Sequence, residues 1–249
     1  MEKIEILNIH ILSIHTRELL ENLHEGVLVT PNLDHLVKLQ EDRLFYEAYK
    51  KADWIICDSQ ILYFLSNILE HPFHKAIAGS SFFRDFYEFH KDDDDCRIFI
   101  LGSRQGVAEM AMEHINKRLG KRRIVGTHSP SFHINEAESH TIADIINRNG
   151  ANVVLVGLGA PKQEKWIFRY KHLMPNVKIW MALGATIDFE AGTLKRAPAF
   201  CRKIGMEWFY RFLLEPRRLF RRYFIDDIKF FYYFARQLLG IYKNPWRDK

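Results

Sequence analysis

Five short apolar runs recur along the first three quarters of the chain: VLVT at 27–30, WIIC at 54–57, IFIL at 98–101, VVLV at 153–156 and KIWMAL at 178–183. Between them lie amphipathic stretches of helical pattern, such as 33–50, 105–119 and 162–172. Buried strands that alternate with helices predict an α/β fold with a mostly parallel sheet covered on both faces, because parallel neighbours need long crossovers and the crossovers cover the sheet. The opening IEILNIHILSI can pair as an extra strand or hairpin, and KAIAG near 77 and RIVG near 124 can add short strands.

The last quarter is different in kind. Residues 195–249 hold 14 Lys/Arg against 5 Asp/Glu, whereas residues 1–194 hold 22 against 26, so an acidic body carries a basic tail. Fifteen of the 34 aromatic residues fall between Phe200 and Trp246, among them the run Phe230, Phe231, Tyr232, Tyr233, Phe234. The division predicts an α/β domain over 1–194 and a helical appendage over 195–249 that lies on an anionic membrane surface. Proline at 216 is expected to break the tail into two helices, since proline suits a first helical turn. A helix packed on the body with its basic side solvated is the alternative, and an exposed apolar tail also leaves a homo-oligomer open.

No uncharged apolar run approaches the roughly 20 residues of a bilayer span, and MEKIEIL is unlike a signal peptide, so a cytoplasmic protein bound peripherally to the inner membrane face is expected. Cys57, Cys96 and Cys201 are odd in number and widely spaced, which argues for reduced thiols and against a disulfide framework or a zinc site.

Ligands of open α/β sheets bind beyond the carboxyl ends of the strands. Thr30 and Asn32 follow the first run, Asp58 and Ser59 the second, Gly102 to Gly106 the third, and Gly157-Leu-Gly159-Ala-Pro-Lys162-Gln163-Glu164 the fourth. The glycine turns either present backbone N–H groups to a phosphate or are tight βα turns without a ligand. Neither completes a dinucleotide or P-loop fingerprint, so no such cofactor is expected. Asp58 either accepts a proton from a substrate hydroxyl or caps the next helix, and Thr30 and Asn32 face the same choice between ligand contact and capping. The Asp92–Asp95 run formally contains an Asp-x-Asp, but it precedes a strand, so it is expected on the far side of the sheet as a solvated loop and not as a metal site.

Taken in order, Thr30-Pro-Asn32, Ala52-Asp53 to Asp58, Gly157-x-Gly159-x-Pro-Lys-Gln163-Glu-x-Trp166, Gly184-Ala-x-x-Asp188-Phe, Ala191-Gly192, Arg196-Ala-Pro, Gly205-Met-Glu-Trp208 with Arg211, and Glu215-Pro-Arg-Arg218 with Arg221-Arg-Tyr resemble the WecG/TagA/CpsF glycosyltransferases. The resemblance spans nearly the whole chain. It implies a modified Rossmann-like fold, no required metal or other cofactor, and an inverting transfer from a UDP-sugar donor to a lipid-diphosphate-linked saccharide acceptor. It further implies that Asp58 is the general base, that Thr30, Asn32, Gln163 and Asp188 line the substrate site with Gly102, Gly157, Gly159 and Lys162 at the strand ends, and that Arg211, Arg218 and Arg221 of the tail meet the diphosphate.

Three positions depart from the family pattern. Ser59 stands where a glycine usually follows the aspartate, Ala76 lies in the region of a family arginine, and Ser81 stands where an acidic residue is common. They touch sugar specificity, and donors based on N-acetylmannosamine, its uronic acid or glucose all remain compatible. Two readings of other classes compete: a nucleic-acid-binding protein that uses the basic aromatic tail, and a nucleotide-sugar enzyme that is not a transferase. The first leaves the strand-end set unexplained, so no nucleic acid is expected as a partner, and the second lacks the dinucleotide fingerprint.

Overall fold

A computed structural model describes residues 2–198 and 206–247, with the side chains of 207, 211 and 218 outside the description. Its centre is a six-stranded, wholly parallel sheet. The strands are β3 (Gly26–Val29), β4 (Trp54–Ile55), β5 (Ile98–Gly102), β6 (Ile124–His128), β7 (Val153–Gly157) and β8 (Ile179–Ala182), in the spatial order β4-β3-β8-β7-β5-β6. Alternate residues of one strand serve opposite faces: Val27 and Val29 enter one apolar cluster, and Leu28 between them enters the other.

The first cluster is covered by α2 (Leu33–Glu41), α3 (Arg43–Lys50), α4 (Gln60–Ser66), α7 (Glu136–Arg148) and α8 (Lys162–Tyr170). The second is covered by α1 (Thr16–Asn22), α5 (Gly79–Phe89), α6 (Val107–Leu119) and α9 (Thr186–Glu190). The helices that leave β5 and β7, which are neighbours in the sheet, therefore depart to opposite faces. A crevice opens between the two strand ends, as at the switch point of any doubly wound sheet.

All five apolar runs are strands, and RIVG becomes β6. KAIAG does not form a strand; the Ile77 N–H instead bonds the Cys57 carbonyl at 2.7 Å, which leads the chain directly into α5. The opening segment forms an antiparallel hairpin, β1 (Glu2–Ile6) and β2 (Ile9–Ser13), outside the main sheet. A single bridge from Leu12 to Ile56 lays it along the β4 edge, where an open row of backbone groups would otherwise face solvent. The stretch 33–50 is two helices and not one, because Asp42 stops α2 and caps α3 by accepting from the Phe45 N–H at 3.0 Å.

The tail contains α10 (Glu207–Leu214), α11 (Pro216–Arg221) and α12 (Ile228–Leu238). Proline does start α11, as expected. A further break was not foreseen: residues 222–226 form a wide turn in which the Asp227 N–H reaches back to the Arg222 carbonyl at 2.7 Å. Beyond it, α12 packs on the body. Phe230 and Phe234 are buried in the first cluster, Gln237 bonds the hairpin at the Leu7 N–H (2.8 Å) and the Glu5 carbonyl (2.9 Å), and the Trp246 indole donates to the Leu39 carbonyl at 2.7 Å.

Candidate active site

Asp58 lies three residues beyond β4, and its Oδ1 accepts from the backbone N–H of Gly79 at the start of α5, 3.1 Å away. The capping role falls to its neighbour: Ser59 Oγ accepts from the Leu62 N–H at 3.3 Å and starts α4. A serine in place of the usual glycine thus caps the helix and leaves the Asp58 carboxylate at the ligand edge. Ser81, the third departure, lies in the first turn of α5 and receives Arg196 Nη1 at 3.3 Å, while Arg196 Nη2 donates to the Ser80 carbonyl at 2.8 Å. The Arg196 guanidinium therefore contacts the two residues that follow Gly79, the backbone group that holds Asp58.

Thr30 is buried at the end of β3, beside β4. Asn32 caps α2, with Oδ1 accepting from the His35 N–H at 3.1 Å. His35 is enclosed; its Nδ1 lies 2.6 Å from the Tyr49 hydroxyl, and burial pushes its pKa down to about 3, so the ring is neutral.

Gln163 is buried and acts on backbone. Its Oε1 accepts from the N–H groups of Gly159 (3.2 Å) and Gly184 (3.3 Å), and its Nε2 donates to Glu164 Oε1 at 2.8 Å. One amide therefore fixes the turn after β7 against the turn after β8. The Gly159 N–H is thereby engaged within the fold. Gly102 and Gly157 have a packing reason to be glycine: a Cβ on Gly102 would lie 2.5 Å from the Gly157 carbonyl oxygen, and one on Gly157 would lie 2.5 Å from Ile187 Cδ1.

The close approach of β5 and β7 forms the floor of a cleft of about 340 Å³. Its walls include Ser103, Arg104, Phe132, Leu158, Lys162 and Asp188. Ser103 adopts φ 61°, strained for a residue with a side chain, and its Oγ donates to Asp188 Oδ2 at 3.3 Å. Lys162 lies over the Phe132 ring, 3.6 Å from its centroid, and donates to the Phe132 carbonyl at 3.3 Å. Phe132 is itself 79% exposed, an aromatic face with nothing packed over most of it. Size, polar groups and an apolar wall suit a nucleotide-sized ligand.

Under this edge, Glu164 is sealed from solvent, its Oε2 has no hydrogen-bond partner, and burial raises its pKa to about 7. Asp227 of the tail is also buried and pushed up to about 7 by desolvation. Arg222 joins tail to body, with Nη2 3.4 Å from Asp34 Oδ2 and 3.5 Å from Asn32 Oδ1.

The structure gathers Thr30, Asn32, Asp58, Gly102, Gly157, Gly159, Lys162, Gln163 and Asp188 along one edge of the sheet. The Arg221 side chain is 82% exposed and lies 4.0 Å from Asp226, and the side chains of Arg211 and Arg218 lie outside the described residues. Phe132, Arg104 and Glu164 were not singled out from sequence, although an aromatic residue in the loop after a strand and an acid inside the Gly157–Trp166 motif were there to be read. Asp92 and Asp94 pair with Lys121 (2.9 Å) and Arg123 (2.8 Å) in the loop before β5, at the opposite end of the strands from the cleft.

A model of the glycosyl transferase WecG/TagA/CpsF family matches residues 4–244. The chain is 28% identical to the N-acetylglucosaminyldiphosphoundecaprenol N-acetyl-beta-D-mannosaminyltransferase of Bacillus subtilis (strain 168), covering 78% of this chain and 73% of that one. The proteins of the same name from Bacillus spizizenii (28%, 77% of this chain, 72% of that one) and Staphylococcus aureus strain MRSA252 (26%, 78% and 74%) are similar to it as well. With nearly its whole length matched, the chain belongs to the WecG/TagA/CpsF family of glycosyl transferases.

Proposed function

We propose that this protein is a hexosyltransferase that moves a sugar from a UDP-sugar to an undecaprenyl-diphosphate-linked saccharide, with inversion and without a metal, in the assembly of a wall polymer or surface polysaccharide. The observation that carries the reading is the position of Asp58: a carboxylate held by the Gly79 N–H, next to the Ser59 that caps α4, on the same strand edge as the cleft between β5 and β7. The family and the names of the relatives supply the reaction class and the kind of acceptor.

In this reading the nucleotide occupies the cleft, with Phe132 and Leu158 against apolar parts and Arg104 and Lys162 near the phosphates. The acceptor hydroxyl approaches Asp58, which takes its proton as the oxygen attacks the anomeric carbon from the face opposite the diphosphate. The new glycosidic C–O bond forms as the bond to the diphosphate breaks, and the electron pair leaves on the nucleoside diphosphate. The negative charge developed there requires cations, and Lys162, Arg104 and the tail residues Arg211, Arg218 and Arg221 are the candidates. Thr30 and Asn32 orient the acceptor beside Asp58.

Membrane attachment follows from the tail. Leu213, Leu214, Phe220, Phe224, Ile225 and Phe231 are exposed apolar side chains on helices that also carry Arg217, Arg221, Lys229 and Arg236. No helix among the described residues is long and apolar enough to cross a membrane. Apolar anchors beside basic residues suit peripheral binding to an anionic leaflet, from which a polyprenyl diphosphate is accessible.

The test is turnover of a panel of UDP-sugars with a short-chain polyprenyl-diphosphate N-acetylglucosamine acceptor, in the presence of a chelator. Transfer with inverted anomeric configuration is the expected result. Donor isomerisation without transfer, or transfer abolished by the chelator, would refute the reading.

A further inference from the structure

Arg222 sits in the wide turn between α11 and α12, where the C-terminal helices come against the start of α2. Two groups of the body face it. Asp34 is 8% exposed and shares Oδ2 between Lys38 Nζ at 2.8 Å and Arg222 Nη2 at 3.4 Å. The same Nη2 lies 3.5 Å from Asn32 Oδ1, the oxygen that already caps α2 through the His35 N–H. Arg222 Nε is buried and has no hydrogen-bond partner. The burial of this guanidinium is thus offset at one end, by Asp34 and Asn32.

We propose that Arg222 is a positioning residue: by bridging Asp34 and Asn32 it docks the C-terminal helices against the first turn of α2 and fixes the Asn32 side chain beside the strand end that carries Asp58. The inference rests on the transferase reading for the identity of the site and adds to it the contact that sets the geometry of that site. A half-buried ion pair, with Asp34 enclosed and Arg222 32% exposed, contributes little net stability compared with apolar packing, and it suits a contact whose role is to fix one arrangement. The α12 helix needs no such pair for its attachment, because Phe230 and Phe234 already bury it in the core. Where a contact is redundant for attachment and touches a capping oxygen at the ligand edge, orientation is what remains for it to determine.

The experiment compares the full chain with Arg222→Ala, Arg222→Lys, Asp34→Asn and the double variant Asp34→Asn with Arg222→Ala. Loss of a charge-assisted contact of this length is expected to raise the KM for the lipid-linked acceptor about tenfold while kcat stays within about twofold. Arg222→Lys should recover part of the loss, and the double variant should be no worse than Arg222→Ala, since both remove one interaction. A merely structural role would lower kcat through the active fraction and leave KM alone, and that result, or a wild-type KM in Arg222→Ala, overturns the proposal. Amide exchange supplies a readout free of turnover: the His35 N–H should exchange faster in Arg222→Ala, with α6 unchanged, and unaltered exchange at His35 equally overturns it. If the wild-type chain transfers no sugar, the transferase reading fails while the exchange measurement still decides the role of Arg222.

Discussion

Asp58 Oδ1 and the backbone nitrogen of Gly79 lie 3.1 Å apart, so the carboxylate that follows β4 is held by the first turn of α5. An amide oxygen can accept the same hydrogen bond, which makes Asp58→Asn a replacement that keeps the fold and removes the base. The expected loss is about 10² to 10⁴ in kcat with the unfolding midpoint unchanged. Steady-state kinetics with saturating donor and acceptor checks it, and a variant within threefold of wild type would remove Asp58 from the role of base.

Glu164 predicts the sign of a pH effect on stability. Burial raises its pKa from 4.5 to about 7, so the folded state holds the proton more tightly than the unfolded chain. Stability from this group is fully present below about pH 4.5, declines as the pH rises and is lost above about pH 7, a difference of up to about 3 kcal/mol. Glu164→Gln keeps an acceptor for Gln163 Nε2 and abolishes the titration. The variant should match wild type near pH 4.5 and exceed it at pH 8, as read from urea midpoints at the two values; an equal gain at both would show that ionisation of Glu164 is not the cause.

The two apolar clusters, the strands and the ligand edge were legible because each rests on local pattern: an apolar run of four or five residues, then a turn with glycine or a capping side chain. What was not legible depended on partners distant in sequence. Nothing in 33–50 announces that Asp42 caps a second helix, because a mid-pattern aspartate is also compatible with a solvated helix face. The basic character of residue 222 is plain from sequence, but its choice of Asp34 across the body follows only from the wide turn at 222–226. The backbone contacts of Gln163 were likewise hidden: nothing in the sequence shows that one strand-end amide oxygen holds the N–H groups of both Gly159 and Gly184. Within the tail α12 packs on the body, Leu219 of α11 is buried, and Leu213, Leu214 and Phe220 of α10 and α11 are exposed.

Phe132 and Lys162 form one wall of the cleft, and the exposure of the ring separates their role in binding from any role in folding. A ring that is 79% exposed contributes little to stability, so Phe132→Ala should shift the unfolding free energy by no more than about 0.5 kcal/mol. If the ring packs on the nucleotide base, the same change should raise the donor KM about 5- to 100-fold, the range of stacking losses on alanine substitution. Lys162→Ala should add a loss of donor affinity that shrinks with salt. Isothermal titration with UDP at two ionic strengths separates the two contributions, and undiminished UDP affinity in both variants would place the nucleotide elsewhere.

Phe220 and Phe224 lie with ring centroids 5.3 Å apart and planes tilted by 32° on the exposed side of the tail, beside Arg217 and Arg221. Rings so exposed gain by leaving water, and each neighbouring cation near an anionic leaflet contributes about 1 kcal/mol. Phe220→Ser with Phe224→Ser is therefore expected to weaken binding to vesicles of phosphatidylglycerol and phosphatidylcholine at least tenfold, and Arg217→Gln with Arg221→Gln to weaken it in proportion to the anionic lipid fraction. Because α12 carries the burial that attaches the tail, the aromatic pair can be removed with the fold intact, and circular dichroism should show no change. Sedimentation with vesicles measures the partition; equal binding by wild type and the serine variant, or preference for single-stranded nucleic acid over vesicles at matched ionic strength, would turn the tail into something other than a membrane anchor.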